Sequence, residues 1–223
     1  MAKDKKDKKI KIGEVWLEGV RLSFADLWQA KKFSNKPEDQ DKKARYKANF
    51  LLPKDNSLQG KHLGKKMPAL IALKKAKEAV LREWDPNFNM KKLKAAAHCV
   101  RDGDEETWDG YEGHFYLSST NTTAPVVVNQ MREPLKESSG MPYSGCYVNA
   151  IVELYVQKPG TNDDGSPRPL RVNGSLKAVQ MKAKGDAFGA EPIDPMEGFD
   201  DISGEEGGDY DGDDDDDDGD DLV

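Results

Sequence analysis

Apolar and polar residues alternate along much of this chain, and the alternation predicts strands before anything else is read. Val15 and Leu17 share one phase. Gly19 interrupts it, and Val20, Leu22 and Phe24 resume it, with Arg21 and Ser23 on the other side. This predicts a strand from Gly13 to Trp28 with a bulge at the glycine. Lys31 to Lys43 is polar and reads as a loop. From Ala44 to Leu52, Tyr46, Ala48, Phe50 and Leu52 take the apolar phase; Arg45, Lys47 and Asn49 take the other. The period then changes. Leu70, Leu73, Ala76, Val80 and Trp84 follow a helical stripe between Pro68 and Asp85-Pro86, which suit a helix start and stop. Shorter strands are expected at His98–Arg101, Gly113–Ser119 and Pro125–Asn129. A long one runs from Cys146 to Val156, a polar loop from Gln157 to Pro169, and a return strand from Leu170 to Met181. In the long strand Val148, Ala150, Val152, Leu154 and Val156 oppose Tyr147, Asn149, Ile151, Glu153 and Tyr155. Five to seven strands and one amphipathic helix predict a mainly β domain, a small barrel or a curled sheet.

Charge divides the chain. Residues 191–223 hold 17 of the 41 acidic residues and no Lys or Arg, so residues 1–190 carry 34 basic against 24 acidic residues, a net of +10. The pI of about 5.2 describes neither half. The tail cannot bury enough apolar surface to offset chain entropy and is expected to be disordered. The expected organisation is a flexible basic arm at 1–12, a domain at 13–184 and an acidic tail at 185–223. No apolar run of membrane-spanning length occurs. Cys99 and Cys146 fit reduced residues of a cytosolic protein.

Enzyme motifs are missing. There is no phosphate-binding loop, nucleophile elbow or dinucleotide fingerprint. His98, Cys99 and Cys146 lack metal-ligand spacing, and no cofactor is implied. Asp102, Asp104, Glu105 and Glu106 would be the carboxylates of a metal-dependent nuclease, but they read better as an exposed turn. Binding of single-stranded nucleic acid has positive support, because it needs cations along a groove and aromatic faces for the bases. Arg21, Arg45, Lys47 and Lys54, with Arg101 and Lys177, are the candidate phosphate contacts. Tyr111, Tyr116, Tyr147 and Tyr155 are the candidate stacking rings. Phe24, Tyr46 and Phe50 are assigned to the core by their phase.

Six strings in order carry a resemblance. They are Arg21-Leu22-Ser23-Phe24, Tyr46 leading to Phe50-Leu51-Leu52-Pro53-Lys54, Arg101-Asp102-Gly103-Asp104, Tyr111-Glu112-Gly113-His114-Phe115, Tyr143-Ser144-Gly145-Cys146-Tyr147 and Gly185-Asp186-Ala187-Phe188-Gly189. Over about residues 13–190 the chain resembles a family of phage-encoded single-stranded DNA-binding proteins, formerly a domain of unknown function. The resemblance implies an OB-fold, sequence-tolerant ssDNA binding, a role in phage replication, recombination or repair, and residence in the host cytoplasm. The acidic tail is expected to regulate DNA access and to recruit replication proteins such as a polymerase, helicase or nuclease. Tails of this type often end in an aromatic residue, whereas this one ends Asp220-Asp221-Leu222-Val223. The rival readings are an acidic-tailed chaperone for basic proteins, a nuclease and an RNA binder.

Overall fold

The computed structural model describes residues 11–32, 43–94, 97–162 and 165–189. The first ten residues of the expected arm, and the tail from residue 190, lie outside the described residues.

One long strand organises the body. β1 (Glu14–Lys31) runs further than the sequence pattern predicts and is bent rather than broken. Gly19 has φ +71°, a backbone conformation that costs glycine little. The β1 register shifts there, between Leu17 and Val20, so the inward phase moves from Val15 and Leu17 to Val20 and Leu22. The N-terminal half of β1 pairs with β3 (Gln59–His62), which forms a hairpin with β4 (Lys65–Pro68). Its C-terminal half pairs with β2 (Arg45–Pro53). The chain then enters α1 (Ala69–Trp84) and continues through β5 (Val100–Asp102), β6 (His114–Asn121) and β7 (Val126–Val128). β8 (Tyr147–Gln157) and β11 (Arg171–Ala183) follow, separated by the small hairpin of β9 (Gly160–Thr161) and β10 (Pro167–Arg168).

β1, β2, β6, β11 and β8 close into a barrel. Its pairs are antiparallel except β6 with β11, where Gly174 lies beside Ser119 in parallel register. Numbering only these five strands, the cyclic order is 1-2-3-5-4, the arrangement of an OB-fold. The core is built from the inward phases: Val15, Leu17, Val20 and Leu22 of β1, Ala48, Phe50 and Leu52 of β2, and Val148, Ala150, Val152 and Leu154 of β8. α1 packs against β3, β8 and β1. Its buried face is Ala69, Ala72, Leu73, Ala76, Val80 and Leu81, so small side chains let the helix sit close to the sheet. Leu70 and Trp84, expected on the buried stripe, are only partly buried.

The packed body also reaches past the expected boundary at residue 184. Phe188 N–H donates to Ser144 O at 3.0 Å, and Tyr143 Oη donates to Gly185 O at 2.9 Å. Residues 184–189 therefore form a strap fastened across the barrel. At the other end, Lys11 pairs with Glu153 at 3.0 Å and Ile12 packs on the core, so these two residues of the expected arm belong to the body.

Cys99 and Cys146 are buried and free. Burial pushes the Cys99 thiol up to about 12 and raises that of Cys146 as well. A thiolate is the reactive species, so neither cysteine is expected to react with a thiol-specific disulfide reagent in the native protein, and both should react after unfolding. One rapid equivalent of reaction under native conditions would refute that burial.

Candidate nucleic-acid interface

The outer face of β1, β2 and β6 gathers most of the sequence-derived candidates, in altered roles. Tyr111 and Tyr116 are 0% and 2% exposed. They are not open stacking rings as expected; they form a buried layer with Leu51, and Phe188 packs against it. Tyr111 Oη donates to Ser23 Oγ at 3.2 Å and accepts from Asn49 Nδ2 at 2.8 Å. Tyr116 Oη donates to Glu106. The physical reason is coverage. Tyr116 points outward from β6, but the segment from Gly103 to Gly113 folds back over the outer face and lays its own Tyr111 ring against Ser23, Asn49 and Tyr116. Gly110, at φ +75°, makes the cover possible, because a Cβ there would lie 2.3 Å from the Phe188 ring.

Two other rings emerge above this layer. Phe24 is 38% exposed and Trp108 is 41% exposed. Their centroids are 4.9 Å apart and edge-to-face, and Trp108 rests on Tyr111 at 5.0 Å, which touches Tyr116 at 5.0 Å. The result is a rigid ladder of four aromatics with the upper two open to solvent. Phe24 departs from its assignment to the core. Its φ of +48° and the register shift between Ser23 and Asp26 turn the ring outward, and Leu27 takes the inward position instead.

The cations divide into those facing this surface and those engaged elsewhere. Lys47 Nζ lies 4.7 Å from the Phe24 ring centroid. Its pKa is lowered, chiefly by burial and also by the neighbouring Arg101, while Asp26 opposes the shift. Arg101 is exposed on β5, opposite Tyr116, and Arg45 is exposed at the start of β2. Arg21 donates to Gly145 O at 3.3 Å and Asp186 O at 2.9 Å, and covers the Phe188 ring at 4.2 Å. It fastens the strap at the border of the surface, beside the exposed Tyr147.

Lys54 and Lys177 do not present themselves as expected. Lys54 bridges Asp102 and Asp104, which hold its pKa up while it holds theirs down. This ion pair also gives those carboxylates a basic partner that is distant in sequence. Lys177 pairs with Glu153 at 2.9 Å on the wall formed by β8 and β11. Tyr155 is exposed on that wall, eight residues along β8 from Tyr147, or about 26 Å at strand rise.

Burial, and secondarily the Glu106 carboxylate, push the Tyr116 phenol up to about 12. An unfolded tyrosine ionises near 10. The stabilisation is therefore complete below about pH 10 and is lost as pH rises toward 12. In an ultraviolet titration, Tyr116 should ionise late and together with unfolding. Ionisation of all seven tyrosines in one step near pH 10, with the fold intact, would contradict this burial.

A family model described as the ssDNA-binding protein of Enterobacter phage Enc34 matches residues 9–216. A protein designated p50, from Acyrthosiphon pisum secondary endosymbiont phage 1, is 33% identical over 190 residues, covering 85% of this chain and 94% of its own. Among solved structures, the single-stranded DNA-binding protein of bacteriophage Enc34 in complex with ssDNA superposes with a TM-score of 0.60 at 23% identity. That match covers 80% of this chain and 91% of the other. A second structure of the Enc34 protein gives 0.56 at 24% identity, over 85% and 92%. At these identities the structural likeness establishes the fold.

Proposed function

The chain belongs to the family of the Enterobacter phage Enc34 ssDNA-binding protein, and on that premise we propose that it coats single-stranded DNA without sequence preference during phage replication, recombination or repair. The observation that carries this reading is the exposed pair Phe24 and Trp108, held rigid on buried tyrosines and flanked by Lys47, Arg101 and Arg45. Bases stack on the two rings, and every base offers a π-face, so the contact tolerates sequence. The cations neutralise phosphates and release counterions, giving a salt dependence of about −0.7 per contact on a log–log scale. The site also sits where OB-folds present strands 2 and 3 to oligonucleotides. Tyr147 and Arg21 mark one border of the path.

No catalytic step enters this mechanism. Of the four carboxylates considered for a nuclease, Asp102 and Asp104 are bridged by Lys54 and Glu106 accepts from Tyr116. The acidic tail regulates access by competing for the basic surface, and it offers replication proteins a charged landing segment. The protein acts in the host cytoplasm.

A competition titration at two salt concentrations tests the reading, with labelled ssDNA on the full chain and unlabelled ssDNA, duplex DNA and ssRNA as rivals. Single-stranded DNA should displace the label at the lowest concentration, and all affinities should fall with salt. Equal competition by duplex would make the protein a general polyanion binder. Stronger competition by ssRNA would move the reading to RNA.

A further inference from the structure

Beyond the strap, the outer wall of β1, β8 and β11 holds a concavity of about 510 Å³. Trp16 forms one side. It is 43% exposed, and its indole N–H donates to Glu14 Oε1 at 2.8 Å, which fixes the plane of the ring. Ile151, level with Trp16 across the ladder from β1 to β8, helps to floor it with Ala178. Lys61, Lys182 and Arg132 stand at its rim with the carboxylate of Glu18, while the Glu14 carboxylate is held against the indole N–H. Lys61 is held by Glu18 at 3.0 Å. Lys182 and Arg132 make no ion pair among the described residues.

This concavity continues the surface already described. Arg21 is level with Tyr147, and Trp16 with Ile151, on the same two strands and the same outward phase. Ile151 lies four residues from Tyr147, about 13 Å. Between them lie Asn149 and Gln180, bonded to each other at 3.1 Å. A fixed aromatic face, an apolar floor and uncommitted cations are what a nucleotide requires. We infer that the concavity beside Trp16 is a second ssDNA subsite, reached by a strand that leaves Phe24 and Trp108, passes Tyr147 and turns onto the wall of β1, β8 and β11. A base stacks on Trp16 over Ile151, and Lys182 and Arg132 take the flanking phosphates. The inference rests on the ssDNA reading of the first surface and adds length to its path.

Two oligothymidylates test it on the full chain, one of about 5 nucleotides and one of about 20. Trp16→Ala and Lys182→Glu should each weaken the long strand about tenfold and leave the short one unchanged, while Trp16→Phe restores most of the loss. With the unaltered protein, a long strand carrying a photoreactive uracil should crosslink to the peptide containing Trp16, and a short one should not. Equal losses on both lengths, no loss from either Ala or Glu exchange, or no crosslink at Trp16 would overturn the subsite. So would a changed sedimentation mass with unchanged long-strand affinity, which would assign the concavity to a protein contact. Failure of the unaltered protein to hold the short strand would instead strike the first surface.

Discussion

A chain carrying both Phe24→Ala and Trp108→Ala is expected to lose about 2–4 kcal/mol of ssDNA affinity, roughly 30- to 1000-fold. The two exchanges will not add, because the rings touch at 4.9 Å and each positions the other. Stability should change little, since both rings are more than a third exposed. The contrast is with the layer below. Tyr111→Ala or Tyr116→Ala removes a buried ring and is expected to cost about 3–5 kcal/mol of stability. Binding measured by fluorescence anisotropy, with circular dichroism as the folding control, separates the two layers. Affinity within twofold of the parent, in a natively folded double variant, would remove Phe24 and Trp108 from the interface.

Removal of residues 191–223 is expected to tighten ssDNA binding about tenfold or more at low ionic strength. The tail brings 17 carboxylates to a body of net +10, and tethering supplies them at a high effective concentration. Both partners in that competition are charged, so the gain should shrink as salt shortens the screening length. Unchanged affinity at low salt would sink the proposal. A gain that persisted undiminished at high salt would show that the tail acts by some means other than charge.

The barrel was legible in the sequence because its strands are half-buried, and a half-buried strand must alternate. Val148 to Val156 reads as a strand with one buried face from its alternation alone. The β3–β4 hairpin left no such trace. Lys61, Lys65 and Lys66 dominate it, and its turn at Leu63-Gly64 lacks the usual Asn or Asp. The site was legible only in part. Phase tells which way a residue points and not what lies above it. That is why Tyr116 points away from the core yet is buried. Phe24 was hidden by the opposite error, since a bulge reversed a phase that the sequence continues unbroken. Trp108 sits in an acidic, glycine-bearing segment without periodicity, where its packing on Tyr111 comes wholly from tertiary structure. The Lys54 ion pairs join residues about 50 positions apart, beyond any local pattern.

β1 has one further consequence, which concerns how the protein is made. It pairs with β2 nearby in sequence, but also with β8, and Arg21 lies level with both Leu51 and Tyr147. β11 then joins β8 to β6 and is the last strand of the barrel. A nascent chain that has emerged only as far as residue 145 holds β1, β2 and β6 with their inner face unpaired, and closure waits for Ala183. Such distant pairings are entropically late and slow the search. A chain cut within β11 is therefore not a shorter binder but an open sheet with an apolar face, destined for aggregation or proteolysis. The barrel can close only once all of β11 has emerged.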